Sequence, residues 1–199
     1  MAEHIYPVFD QILTREDRQR FLRQRSKVIW LTGLSGSGKT TIAKGLERDL
    51  YDRGFLSQVL DGDNIRSGIN SNLGFSEADR MENIRRIAEV SKLLINTGII
   101  TINSFISPTR EIRHLARHII GQENFVEVFI NAPLEVCEQR DVKGLYRRAR
   151  EGSLKNFTGI DSPFEIPENP DLVIDTSAMT IEACREMVLA FTLPLVRYE

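Results

Sequence analysis

From Lys27 onward the chain alternates short, unbroken apolar runs with longer segments whose apolar residues recur every three or four positions. Val28-Ile29-Trp30-Leu31 reads as a strand buried on both faces. Thr40 to Arg53 reads as a helix, with Ile42, Ala43, Leu46 and Leu50 on one face and Gly54 ending it. Ser57 to Leu60 is a second strand, and Asp79 to Asn96 a long helix stopped by Gly98. Ile99 to Ile102 is the next strand, followed by a helix from Thr109 to Ile120. Phe125 to Ile130 is a strand, followed by short helices at Leu134 to Arg140 and Tyr146 to Glu151. Leu172 to Ile174 is the last strand and Ile181 to Phe191 the closing helix. Strand and helix alternating about five times, with strands that are near-continuously apolar, predict an α/β fold: a parallel β-sheet with helices on both faces.

Ahead of this core lies an Arg-dense segment. Thr14 to Lys27 reads as a helix capped by Thr14, with Asp17 at its third position completing a partial capping box. The 199 residues therefore divide into an N-terminal helical arm (1–26) and a core (27–199) within a single domain.

Composition narrows the partners. Lys+Arg 26 against Asp+Glu 28 leaves a formal net charge of −2, without the basic excess of a nucleic-acid or membrane-surface binder. No apolar run is long enough to span a bilayer, and the first seven residues lack the basic start and apolar stretch of a secretory leader. Cys137 and Cys184 show neither zinc spacing nor a disulfide framework, so they read as reduced thiols in a cytoplasmic protein.

The chemistry enters at Gly33-Leu34-Ser35-Gly36-Ser37-Gly38-Lys39-Thr40, which satisfies G-x-x-x-x-G-K-[ST] in full between an apolar strand and an amphipathic helix. Glycines let successive backbone N–H groups turn inward, and the helix N-terminus that runs on into Thr41 adds its positive end. Lys39 neutralises the β- and γ-phosphates of a nucleoside triphosphate, and the Thr40 hydroxyl ligates Mg²⁺. This is a P-loop, and the fold it implies is that of the P-loop NTPases and nucleotide kinases. Asp141-Val142-Lys143-Gly144 fits a GTPase switch pattern but follows the wrong strand, and no guanine-reading motif is present. A small-molecule kinase is the economical reading.

Leu60-Asp61-Gly62-Asp63-Asn64-Ile65-Arg66 closes the second strand, where ligands of open parallel sheets bind. Of two carboxylates beside a magnesium triphosphate, Asp61 can hold the metal's water shell and Asp63 can accept a proton from an attacking hydroxyl. A turn that merely caps the next helix is the competing explanation. Arg66 and Arg80 offer planar donors to an anionic acceptor, and Phe75 offers an aromatic face. Glu82 and Arg86, four apart, read as a surface pair. Arg140, Lys143, Arg147, Arg148 and Arg150 gather into a candidate lid over phosphates. Phe157, beside Asn156 and Gly159, supplies a second aromatic on another loop. Two phenylalanines on separate loops suit a flat, anionic acceptor such as another nucleotide.

At these residues the chain resembles the adenylylsulfate kinase (APS kinase) family from about Thr14 to Phe191. The marks are Gly33–Thr40, Asp61–Arg66, Leu73-Gly74-Phe75-Ser76, Asp79-Arg80 with Asn83, Phe105-Ile106-Ser107-Pro108, Lys143–Tyr146 and Asn156–Asp161. The resemblance implies transfer of the γ-phosphoryl of ATP to the 3′-hydroxyl of adenosine 5′-phosphosulfate, giving 3′-phosphoadenosine 5′-phosphosulfate and ADP. It implies that Asp63, Asn64, Ile65, Arg66, Phe75, Arg80, Asn83, Ile106, Ser107, Lys143 and Phe157 line the acceptor site, with Phe75 and Phe157 bracketing the adenine. It also implies a homodimer.

The family motif traditionally assigns Ser107 as a phosphoserine intermediate. In-line attack by the 3′-hydroxyl needs no covalent step, so Ser107 is read instead as a residue that positions substrate. Thr109 departs from the aromatic residue usual at its place. Two other readings stay open: a P-loop kinase with a different acceptor, and a nucleotide-dependent regulatory module without catalysis. His114 and His118, four apart on one helix, read as a surface pair rather than a metal clip.

Overall fold

The computed structural model describes residues 11–198 together with His4, Tyr6 and Val8, so most of the first half of the expected arm lies outside the described residues. Its elements, in chain order, are α1 (Arg15–Leu22), β1 (Val28–Thr32), α2 (Lys39–Tyr51), β2 (Ser57–Asp61), α3 (Gly62–Arg66), α4 (Glu77–Asn96), β3 (Ile100–Ser104), α5 (Arg110–Ile120), β4 (Phe125–Asn131), α6 (Leu134–Arg140), α7 (Leu145–Arg150), β5 (Leu172–Asp175) and α8 (Ile181–Val196). The five strands form one all-parallel sheet in the order β2-β3-β1-β4-β5.

β1 is the central strand, and all five of its residues are buried. Alternation sends its side chains to two separate cores. Ile29 and Leu31 join Ile42, Leu46, Leu50 and Val188 beneath α2 and α8. Val28 and Trp30 join Ile84, Ile87, Ile112 and Ala116 beneath α4 and α5. A third, smaller cluster of Ala132, Cys137, Tyr146, Ala149 and Phe157 supports the segments above the sheet's carboxyl edge. The expected architecture, a parallel sheet covered on both faces, is the one observed.

Most element ends shift by one or two residues from the sequence expectation; two helix ends shift further, and one α-helix is new. The arm helix stops at Leu22, because Arg23 takes a left-handed conformation (φ 52°) and the buried Gln24 donates to the carbonyls of Leu56 and Gly98. The closing helix runs past Phe191 to Val196 with Pro194 inside it, since Thr192 and Val196 are buried and Leu193 and Leu195 pack on the core. The five-residue α3 was not expected. Asp61 caps it, its side chain accepting from the Asp63 N–H at 3.1 Å. At α1 the capping box is complete: Thr14 Oγ1 accepts from Asp17 N, and Asp17 Oδ2 accepts from Thr14 N at 3.0 Å.

Candidate active site

The Gly33–Thr40 loop leaves the carboxyl end of β1 and enters α2 through Gly38, which caps that helix at φ 101°. Two glycines are required by their surroundings. A Cβ on Gly33 would lie 2.3 Å from the Ile130 carbonyl oxygen, and one on Gly36 would lie 3.0 Å from that of Cys137. The loop is gripped from outside by residues far along the chain. Tyr146 donates to the Ser35 carbonyl at 2.8 Å and Thr176 to that of Ser37 at 2.8 Å. Arg140 reaches the Gly36 carbonyl at 3.3 Å and the Thr176 carbonyl at 2.6 Å. Ser37 is buried, Leu34 and Ser35 are half-buried, and Thr41 is exposed on the first turn of α2.

Lys39 is buried, and its ammonium donates to the Leu34 carbonyl at 2.7 Å. Burial lowers its pKa to about 8. The exposed Thr40 donates to Asp61 Oδ2 at 2.8 Å and lies 3.3 Å from Ser104 Oγ at the end of β3. Asp61 caps α3 with one oxygen, as the competing explanation had it, and meets the P-loop threonine with the other. Two hydroxyls and a carboxylate form an oxygen-only donor set, which fits Mg²⁺. Among the described residues no cluster of three or more His, Cys, Asp and Glu side chains could hold a metal, and His114 and His118 are both exposed on α5.

Asp63 projects from the first turn of α3 with 71% of its side chain exposed, and it pairs with Lys143 from the segment between α6 and α7. Asn64 is exposed beside it, and Ile65 packs against the core below α4. The Arg66 guanidinium donates to the carbonyls of Leu73 (3.1 Å) and Gly74 (2.9 Å) and lies 4.4 Å from the centre of the Phe75 ring. Phe75 is 57% exposed. Arg80 donates through Nε to the Phe75 carbonyl at 3.0 Å and through its other nitrogens to Asn156 O and Thr158 Oγ1. One guanidinium therefore joins the two loops that carry the phenylalanines. Phe157 itself is buried edge-on against Tyr146, with ring centres 4.9 Å apart. Burial lowers the pKa of both arginines.

Asn83 is buried on α4 and accepts from Asn70 Nδ2 at 2.9 Å. Glu82 and Arg86 do more than decorate the surface, because Arg86 also donates to Asn72 Oδ1 at 2.9 Å and to the Ile69 carbonyl at 3.3 Å. Hydrogen bonds from Arg85 and Arg86 bring the Glu82 carboxyl down to about 2. The Ile106 carbonyl accepts from Thr32 Oγ1 at 2.7 Å. Ser107 is 2% exposed, in the left-handed region at φ 44°, and its hydroxyl accepts from Trp30 Nε1 at 2.9 Å.

The structure brings the P-loop, Asp61, Asp63 and Lys143 together at the carboxyl edge of the sheet. Sequence reasoning missed Ser104, Thr176 and Asp161. Asp161 accepts the N–H groups of Asn156 (2.7 Å) and Phe157, closing the Phe157 loop. Their positions, at the end of β3 for Ser104 and just after β5 for Thr176, were the available signal.

The sequence pattern of the family described as adenylylsulphate kinase matches residues 25–175. An adenylyl-sulfate kinase of Bacteroides thetaiotaomicron is 61% identical over 193 residues, covering 97% of this chain and 96% of that one. The Mycobacterium tuberculosis APS kinase solved in complex with AMPPNP and APS superposes with a TM-score of 0.82 at 46% identity, over 85% of this chain and 98% of that one. A hexameric APS kinase from Thiobacillus denitrificans gives a TM-score of 0.65 at 28% identity, over 90% of this chain and 31% of that one.

Proposed function

The chain belongs to the adenylylsulphate kinase family, and from that premise we propose that it transfers the γ-phosphoryl group of ATP to the 3′-hydroxyl of adenosine 5′-phosphosulfate, as an enzyme of sulfate assimilation. The carrying observation is the near-full-length identity to a relative named for this activity. The meeting of Lys39, Thr40, Asp61 and Asp63 supports it.

In this reading Gly33 to Thr41 cradle the triphosphate. Lys39 carries charge on the β- and γ-phosphates, and Thr40, with Asp61 behind it, holds Mg²⁺. The metal supplies charge neutralisation on the bridging oxygens when bound. Asp63 orients the 3′-hydroxyl and takes its proton as the new oxygen–phosphorus bond forms and the bond to the β-phosphate oxygen breaks, releasing ADP. Asn64, Ile65, Arg66, Phe75, Arg80, Asn83, Ile106, Ser107, Lys143 and Phe157 surround the acceptor. For Phe157 to face the adenine, its ring must turn from Tyr146. Lys143 must release Asp63 for the proton to be accepted, and its charge is then free for the phosphosulfate. Ser107 positions substrate and forms no phosphoenzyme: its hydroxyl is buried and already engaged by Trp30.

A homodimer in the cytoplasm completes the reading. Exposed Ile12, Leu13 and Phe21 on the arm fit a contact with a second copy, and both thiols are free. Light scattering reads the assembly. No helix of the described residues is long and apolar enough to cross a membrane.

The test is ADP release from Mg-ATP with and without adenosine 5′-phosphosulfate, beside AMP, cytidylate and gluconate. Stimulation by the phosphosulfate alone is expected; stimulation by another acceptor instead overturns the substrate assignment, and none at all overturns the catalytic one. Asp63→Ala is expected to lower turnover by orders of magnitude while AMPPNP still binds, and near-normal turnover would remove Asp63 from its role.

A further inference from the structure

Ser107 sits in a backbone conformation that a serine adopts only under constraint. Part of the constraint is the Trp30 indole on its hydroxyl. Thr32 Oγ1 on β1 adds a long bond to the Ser107 carbonyl at 3.5 Å, and a shorter one comes from α5. Arg113, 3% exposed, donates through Nη1 to the Ser107 carbonyl at 2.9 Å and through Nη2 to the Glu165 carbonyl at 2.8 Å. Glu165 belongs to the same irregular segment between α7 and β5 as Phe157 and Asp161. It is also fastened to the other side of the serine loop: its N–H donates to the Pro108 carbonyl at 2.8 Å, and its carboxylate accepts from Arg110 N at 2.6 Å.

The charge that makes this possible is compensated from below. Arg113 Nε lies 3.1 Å from Glu127 Oε1 on β4, whose side chain is 9% exposed, and Arg117 Nη2 lies 3.0 Å from the other oxygen. A cation this deeply buried is tolerated only when paired and fully bonded. Its fork geometry lets it hydrogen-bond two carbonyls while its charge pairs with a carboxylate, a fixed planar arrangement that a lysine does not reproduce.

We propose that Arg113 is a positioning residue: its guanidinium, neutralised by Glu127, fixes the Ser107 backbone and ties it to the segment that carries Phe157, so that both walls of the acceptor site are set by one buried side chain. It touches no substrate. The inference rests on the phosphotransfer reading, and it predicts that losing the fork harms the acceptor and spares the nucleotide.

The experiment compares wild type with Arg113→Lys, which keeps a charge beside Glu127, and with the pair Arg113→Met/Glu127→Gln, which removes both charges should the single variant fail to fold. Steady-state constants are measured for each substrate, and amide hydrogen exchange is followed at 33–40, 105–109 and 156–166. The expected result is an ATP KM within about twofold of wild type and an acceptor kcat/KM lower by roughly 10- to 100-fold, the scale on which loss of precise placement acts. Exchange should quicken at 105–109 and 156–166 together and stay unchanged at 33–40. Equal losses toward both substrates, no loss toward either, or faster exchange spread over all three segments would overturn the proposal. A wild-type protein without acceptor-dependent turnover would instead sink the phosphotransfer reading, and the exchange pattern would still decide whether Arg113 couples the two loops.

Discussion

At the scale of single residues, the site is built from groups held at some cost. Lys39 is buried with its pKa down at about 8 against an ordinary 10.5. Between those two values the unfolded chain binds more protons than the folded one, so this group's contribution to stability rises with pH across that window, while below about 8 its burial penalty is present in full. Nucleotide needs the cation. AMPPNP affinity should therefore weaken as pH climbs through about 8, a loss that titration calorimetry would detect and that Lys39→Met should abolish. The same substitution removes a buried charge, so it is expected to end turnover without lowering the melting temperature. Ser107→Ala should retain substantial turnover, because the native hydroxyl is spent on Trp30. Complete loss, with phosphoserine trapped in the wild type, would reinstate the covalent route.

At the scale of elements, what could be read from sequence was whatever depends on neighbours within a few positions. The Thr14/Asp17 box, the P-loop and the long helices all rest on such spacings. The five-residue α3 has too few residues for a period to show, and α8 runs past the expected Phe191 because the burial of Thr192 and Val196 holds Pro194 inside the helix. The P-loop is the least forgiving element. Gly33→Ala brings a methyl into the Ile130 carbonyl at a positive φ, so it should yield protein that binds no AMPPNP or does not accumulate in soluble form. The Phe157 loop depends on the Asp161 carboxylate, which hydrogen bonds from Asn156 and Phe157 hold below the usual carboxylate range against the opposing effect of burial. Asp161→Ala is expected to raise the acceptor KM several-fold. Unchanged acceptor kinetics would show that the loop is held without it.

At the scale of the whole molecule, the parallel sheet and its two helical layers were legible because most strands are largely apolar and the long helices α2, α4 and α5 each bury one apolar face. The grip on the P-loop was not. Gly36 meets Arg140, Ser37 meets Thr176, and Arg80 meets Asn156 across long stretches of chain, and no local period announces such pairs. Of the proposed acceptor residues, Asp63, Arg66, Phe75, Arg80 and Phe157 could be reasoned from their chemistry and the others came with the family resemblance, whereas Arg113 and Glu165, which hold two of those loops, carry no signal except in three dimensions. The two cores make the molecule's stability unevenly sensitive. Leu46→Ala, beneath the sheet, should cost about 2–5 kcal/mol in chemical denaturation, whereas Ile181→Ala on the exposed start of α8 should stay within about 0.5 kcal/mol.

The central place of β1 also governs the order in which the chain can be made. It is the first strand to leave the ribosome, yet Val28 pairs with Thr101 on one side and Phe125 on the other. Until synthesis has passed β3 the strand bearing Trp30 has no neighbour, and until it has passed β4 one edge stays unpaired and the P-loop that hangs from it cannot be set against Ile130. The central strand is thus open on both edges until β3 has been made and on one edge until β4 has, and an unpaired apolar edge of this kind is where a partly made chain is most prone to associate with another.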